Sequence, residues 1–346
     1  MNISEFGIQV GSLPHGPRNL ISDVAGVTVG HATIDDERSK TGVTVVLPCP
    51  GNVFRDKLIA ASYVLNGFGK TLGLVQIDEL GTLETPIALT NTLNVGLVHD
   101  ALVEYSIRVC KKDGTPLRSV NPVVCECNDA ALNDIQFRAV KKEHFFRAIE
   151  SASADFALGD VGCGKGTTCH GLKGGVGSAS RLIRFGSETY TVGVLMQTNH
   201  GRLSDLMIGG KHTGQRLAHL LESGTSDKGS CITVVATDLP VSSRQLKRII
   251  KRAAVGLIRN GSYLGHGSGD IFVGFTTANR LFETDEPFRN ARFLNEDLLD
   301  EAFRACAEAA EEAVLSSLLN AETVTGFGGT KRYSLRELYD KFDVPK

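Results

Sequence analysis

The chain has 346 residues, 42% of them apolar and 22% charged, enough for a large core and by length alone for roughly two domains of ~150 residues. Its 37 basic and 39 acidic side chains nearly cancel, which argues against a broad basic face for nucleic acid. No apolar stretch approaches the ~20 residues of a membrane span, and no basic segment followed by an apolar run opens the sequence, so a soluble, cytoplasmic protein is expected.

The first hundred residues are rich in short β-branched runs bounded by Gly and Pro. Gly26-Val27-Thr28-Val29-Gly30 and Thr44-Val45-Val46-Leu47-Pro48 predict strands, as do 73–77 and 87–91. Val95, Val98, Leu102, Tyr105 and Val109 recur at helical spacing and predict a helix over 95–112. A second helix fits 138–152, with Phe145, Phe146 and Ile149 on one face. Eight glycines between Gly159 and Gly177 call for tight turns or close backbone approach. A strand over 190–197 then runs into a turn at Thr198-Asn199-His200-Gly201. The polar, glycine-bearing segment 223–229 is the best linker in the chain. Directly after it, Cys231-Ile-Thr-Val-Val-Ala236 is an apolar β-branched strand. Ser242 or Ser243 caps a basic amphipathic helix to about Arg259. Residues 271–276 predict a strand and 295–320 a long Ala-, Leu- and Glu-rich helix. Strands preceding helices in each half point to sheets between helical layers.

The eight cysteines form no C-x-x-C pair. Cys125-Glu126-Cys127 and Cys163…Cys169-His170 fit no standard zinc spacing, so buried reduced thiols and no metal are expected. Gly159-x-x-x-x-Gly164-Lys165 departs from a phosphate loop at Gly166, where Ser or Thr should bind magnesium. No G-x-S-x-G elbow is present. That leaves Lys228-Gly229-Ser230-Cys231, at a linker-to-strand junction. Ser230 there is either an ordinary strand-edge residue or a nucleophile that attacks the Gly229 carbonyl and releases itself as a new N-terminus. In the second case Gly229 presents no side chain to obstruct attack, and the freed α-amine, with a pKa near ~8, takes the hydroxyl proton.

The ordered set Thr41-Gly-Val-Thr-Val-Val-Leu-Pro48, Asn66-Gly-Phe-Gly-Lys70, Glu84-Thr-Pro-Ile-Ala-Leu-Thr-Asn-Thr92, Leu132-Asn-Asp-Ile135, Lys173-Gly-Gly-Val-Gly177, Gly229-Ser230, Val234-Val-Ala-Thr-Asp238 and Gly267-Ser-Gly-Asp-Ile-Phe272 spans most of the chain. With it the sequence resembles the self-cleaving L-aminopeptidase/D-amidase/D-esterase and β-peptidyl aminopeptidase family. The resemblance implies one four-layer αββα sandwich of mixed α/β class, like the N-terminal-nucleophile hydrolases but differently connected. It implies cleavage into an α chain, 1–229, and a β chain, 230–346, and assembly as a homotetramer of such pairs. Ser230 matches the nucleophile, and Ser268 and Asp270 its partners. Asn199 matches an oxyanion donor, and Glu126 the acid that holds a substrate's free amino group. No metal or organic cofactor is implied; the substrates are short peptides, amides or esters.

Departures from the family pattern matter too. Asn128 stands where some relatives carry an aromatic hydroxyl near the oxyanion, and Ala130-Ala131 follow Asp129. Lys165 and His170 replace small or apolar residues; Lys165 is expected to favour acidic substrates if its loop lines the cleft. Cys231 is a second nucleophile candidate, although strand alternation turns it away from Ser230. Pairing with a structural Arg is the competing role for Glu126. Competing functions are a polyamide hydrolase or aminoacyl transferase on the same fold, and an uncleaved non-catalytic binding protein.

Overall fold

The computed structural model describes residues 3, 7–221, 229–282 and 286–342; of the linker expected at 223–229, all but Gly229 lies outside the described residues. The β-branched runs pair into two principal sheets. Strands β1 (Thr28–Asp35), β2 (Lys40–Leu47), β4 (Ile87–Asn91) and β5 (Val123–Cys127) form one, in the order β1-β2-β4-β5. Strand β3 (Asp56–Gly67) belongs to the other with β6 (Val176–Phe185), β7 (Glu188–Asn199), β8 (Ser230–Thr237) and β9 (Gly269–Phe282). Its order is β3-β9-β8-β7-β6, with a two-residue strand, Thr82–Leu83, outside β3. Pairing is antiparallel except between β4 and β5 and between β8 and β9.

Alternation along the strands builds three apolar layers. On β8, Ile232, Val234 and Ala236 meet Val46, Leu89 and Cys125 of the facing sheet. Cys231 and Val235 point the other way, into the layer beneath helices α5 (Ser243–Ile250), α6 (Ala253–Arg259) and α7 (Leu299–Leu319). Across the molecule, Val43, Val45 and Val124 pack beneath α2 (Val95–Asp113) and α3 (Lys142–Glu150). The result is helix, sheet, sheet, helix, the αββα sandwich expected from the resemblance. The alanines of α7 let it lie against β6 with almost no gap: a Cβ on Gly177 would stand 1.8 Å from the Ala313 carbonyl oxygen.

Several elements differ from expectation. Residues 73–77 begin a helix, α1 (Leu74–Leu80), rather than a strand. Val75 and Ile77 would share one face of a strand, yet Val75 is 86% exposed and Ile77 fully buried, as two positions 200° apart on a helix should be. The helix over 138–152 shortens to α3 because Arg138, at φ +51°, closes a preceding 3-10 turn. The basic helix does begin at an Ser242 cap, which accepts from the Gln245 N–H, but breaks after Ile250 into α5 and α6. Strands β3, β5 and β6, and helices α4 (Thr213–Leu221) and α8 (Leu335–Phe342), have no counterpart in the sequence-based expectations. Among the described residues no helix is long and apolar enough to cross a membrane.

Candidate active site

Strand ends from both sheets converge at one end of the sandwich. In the ladder Asn199 pairs with Ser230, and Ser230 with Gly269; from the facing sheet Thr90 pairs with Glu126. Ser230, Asn199, Glu126, Asn128 and Thr168 line one cavity of 350 Å³, with Phe68 and Lys70 at its side. A larger hollow of 420 Å³ beside Arg18 and Glu312 contains none of the expected residues.

Glu126 is 1% exposed. Its Oε1 accepts the Lys70 backbone N–H at 2.9 Å, and its Oε2 the Thr92 hydroxyl. Among the described residues no Arg or Lys forms a salt bridge with it, so the competing structural role does not apply. A buried carboxylate is costly unless it is paired or hydrogen-bonded, and this one lies on the cavity wall with both oxygens accepting.

Asn199 is held at both ends of its amide. Its Oδ1 accepts the Thr168 N–H at 3.0 Å, and its Nδ2 donates to the Asn128 carbonyl oxygen at 2.9 Å. The second Nδ2 hydrogen remains for the cavity. The Asn128 side chain instead folds back, its Oδ1 accepting the Ala130 N–H at 3.0 Å; the main chain of Asn128 therefore carries the contact to Asn199. Below it Asp129 is enclosed by Asn91 and Asn133, and burial pushes its carboxyl up to about 6.

Ser268 donates its hydroxyl to Asp270 Oδ1 at 2.9 Å, and both are buried. They flank Gly269, the ladder partner of Ser230, and lie outside the cavity lining. Asp270 pairs across from Cys231. This couple therefore faces the backbone of the β8 start from behind. Gly269 has to be Gly, since a Cβ would stand 2.7 Å from the Phe68 carbonyl oxygen.

Cys231 is buried on the helical side of the sheet. Its thiol is pushed well above the ordinary range by burial first, then by the Asp270 charge. It stays protonated and turned away, which leaves Ser230 as the hydroxyl or thiol of this junction that reaches the cavity. All eight cysteines are buried, and none is joined in a disulfide.

Lys165 does not supply a charge to the cleft. Its Nζ bridges Asp35 at 2.8 Å and Asp160 at 2.9 Å, away from the cavity lining. The expected preference for acidic substrates loses its basis. The Gly-rich segment lies flat on the sheet instead of cradling phosphate: a Cβ on Gly162, at φ +50°, would meet Thr44 Oγ1 at 2.4 Å. Cys169, His170 and His200 each bring one donor atom within 4.8 Å of the others, a metal-capable group buried outside the cavity lining. His170 Nδ1 lies 3.0 Å from the Arg202 carbonyl oxygen, and burial lowers His200 to about 3.

Gly229 is constrained more tightly than the sequence alone shows. A Cβ there would stand 1.9 Å from the Asn199 carbonyl oxygen and 2.7 Å from the His200 Cα, both backbone atoms that cannot swing aside. Gly229→Ala is expected to displace the junction from Asn199 and slow any cleavage after residue 229 by at least ~10-fold, with overpacking costing ~1–3 kcal/mol. A time course of chain species on denaturing gels, beside a thermal melt, measures both. The sequence assigns no role to Thr92, Lys70 and Thr168, because backbone groups or folding partners far along the chain give them theirs.

A family model for "Peptidase family S58" matches residues 19–332. A β-peptidyl aminopeptidase, BapA, from Sphingosinicella microcystinivorans is 39% identical over 96% of this chain and 88% of its own. Among solved structures, a protein from Pyrococcus horikoshii OT3 superposes with a TM-score of 0.93 at 42% identity, over 99% of this chain and 98% of that one. An L-aminopeptidase D-Ala-esterase/amidase from Ochrobactrum anthropi is described as a prototype for the serine aminopeptidases and a new variant of the Ntn hydrolase fold. It superposes with a TM-score of 0.90 at 31% identity, over 100% and 99% of the two chains.

Proposed function

The chain belongs to peptidase family S58 and is a serine aminopeptidase; from that premise we propose that Ser230 is its nucleophile, exposed by cleavage of the Gly229–Ser230 bond. The observation that carries this reading is one cavity shared by the β8 start, the Asn199 amide and the buried Glu126 carboxylate. In processing, Ser230 Oγ attacks the Gly229 carbonyl carbon. The C–N bond breaks, the acyl group passes to oxygen, and water hydrolyses the ester to leave the Gly229 carboxylate and a free Ser230 amine. The Gly229 carbonyl oxygen already accepts the Gly269 N–H at 3.3 Å, a donor that polarises it for attack. In turnover the amine takes the Oγ proton, Oγ attacks the substrate carbonyl, and Asn199 Nδ2 stabilises the oxyanion. The protonated amine then gives that proton to the departing group as its bond to the carbonyl carbon breaks, and water hydrolyses the acyl-Ser230 ester. Ser268 and Asp270 orient the amine from behind the strand.

Glu126 selects substrates with a free amino group, and a cavity of 350 Å³ sits near the lower bound for ligand sites. Short peptides, amides and esters fit that description, as the names of the relatives do. The reduced, buried thiols suit a cytoplasmic enzyme. Exposed Phe68, Leu72, Val75 and Leu80 offer apolar area for assembly of αβ pairs 1–229 and 230–346 into a homotetramer. Amines replacing water at the acyl-enzyme would make the same site a transferase, which product analysis with added amine distinguishes.

Separate donors for processing and turnover give a sharp test. Asn199→Ala is expected to be cleaved after Gly229 within a few-fold of the wild-type rate, yet to lose ~10²–10³ in kcat on amino-acid amides. Intact mass and steady-state kinetics read the two. Unchanged kcat would remove Asn199 from the oxyanion site.

A further inference from the structure

Lys173 is fully buried, and its ammonium donates to three backbone carbonyl oxygens: Gly164 at 2.9 Å, Thr167 at 2.9 Å and Gly174 at 2.6 Å. Every hydrogen of the ammonium has an acceptor. Among the described residues no carboxylate lies within salt-bridge distance of it; the nearby Asp160 is engaged by Lys165. Burial first, and then the Lys165 charge, pull this lysine down to about 7, while its three carbonyl acceptors match the three hydrogens of the charged form. An interior cation without a counter-ion is costly, and the three carbonyls would be cheaper to satisfy with a neutral donor. The three-carbonyl cradle is what holds the charged form here.

One of the three acceptors links that charge to the site. The Thr167 carbonyl and the Thr168 N–H belong to the same peptide group, and that N–H is the one that holds Asn199 Oδ1 at 3.0 Å. Lys173 and Thr168 are also ladder partners in the small hairpin formed by Thr168–Cys169 and Leu172–Lys173, whose Thr168 lines the cavity. A cation on a peptide oxygen draws density from the nitrogen and makes its N–H a stronger donor. That donor in turn draws density from the Asn199 side-chain carbonyl and sharpens the Nδ2 hydrogens. The fixed hairpin also sets the rotation of the Asn199 amide.

We propose that Lys173 is a positioning residue for the oxyanion site, acting through the 167–168 peptide on the Asn199 amide. The inference rests on Asn199 being the oxyanion donor. Lys173 touches neither substrate nor nucleophile; it orients and polarises the group that does. Its effect belongs to the transition state, where charge develops on the substrate oxygen, so kcat responds and KM does not.

The test is a double-mutant cycle of Lys173→Met and Asn199→Ala, with rates on an amino-acid amide normalised to the two-chain fraction found by intact mass. Lys173→Met alone is expected to lower kcat by ~10- to 100-fold with KM within ~3-fold. On the Asn199→Ala background it should cost no more than ~3-fold, because the relay's target is gone. Lys173→Met at the wild-type kcat overturns the inference, and so does a double variant whose loss is the product of the single losses. A wild-type kcat for Asn199→Ala instead overturns the donor role, and the relay with it. If Lys173→Met does not fold, Thr168→Pro deletes the N–H with the ammonium in place, and the same cycle applies.

Discussion

Ser230→Ala is expected to remain a single chain of 37.0 kDa under denaturing conditions while the wild type separates into 1–229 and 230–346. The geometry of the junction supports that expectation. Gly229 is wedged against the backbone at 199–200 with no room for a side chain, and its carbonyl oxygen faces the Gly269 N–H. Only the hydroxyl at 230 is missing in the variant, and alanine fits the same strand end. Turnover should fall by ~10⁵-fold or more, since loss of a covalent nucleophile removes the acyl-enzyme route itself. The neighbouring thiol offers no bypass: Cys231 lies on the far face and stays protonated. Cleavage persisting in Ser230→Ala would mean that another group performs the attack and would end the self-processing reading. Ser230→Cys is the informative companion, because it keeps a nucleophile at the same position. It should cleave, at a different rate, where the alanine variant does not.

How much of this was legible in advance follows a physical line. Strand β8 and its alternation could be read directly, because Cys231-Ile-Thr-Val-Val-Ala236 is β-branched and closely bounded; the structure puts Cys231 on the side that period 2 assigns. The Ser242 cap was equally local. The helix at 74–80 was not, because a short run of Leu, Val and Ile between glycines carries both periods. Nor was β3, whose inner residues Ala60, Ala61 and Ser62 have weak strand preference and are held by β9 at their side. Most of the site came from the family resemblance, which named Ser230, Asn199, Glu126, Ser268 and Asp270 as a set. What the residues alone could not supply was the pairing of backbone groups. The Thr168 N–H, the Lys70 N–H and the Gly269 N–H have no side-chain signature, yet they hold Asn199, Glu126 and the Gly229 carbonyl. Lys173 and Lys165 illustrate the same limit. Both are lysines in one Gly-rich segment, but one is spent on two carboxylates and the other on three carbonyls.

Glu126→Gln should produce the second large loss, and it should be selective. The glutamine keeps the shape and an acceptor for the Lys70 N–H, but removes the negative charge from a wall that offers a substrate ammonium no other acid among the cavity residues. A charge-assisted hydrogen bond in a buried setting is strong, and replacing its charged acceptor by a neutral one costs ~2–4 kcal/mol. For substrates with a free amino terminus kcat/KM should therefore fall by ~10²–10³. The same amides carrying an acetylated amine cannot form the pair in either protein, so wild type and variant should treat them within a few-fold of one another. Cleavage at Gly229 should be untouched, since no free amine takes part in it before the bond breaks. Steady-state kinetics on matched free and acetylated amides measures the selectivity. An equal loss on both substrates would assign Glu126 to holding the Thr92 and Lys70 segment together, a structural role without amine recognition. A loss confined to the free amine makes this buried carboxylate the reason that the enzyme works from the N-terminus.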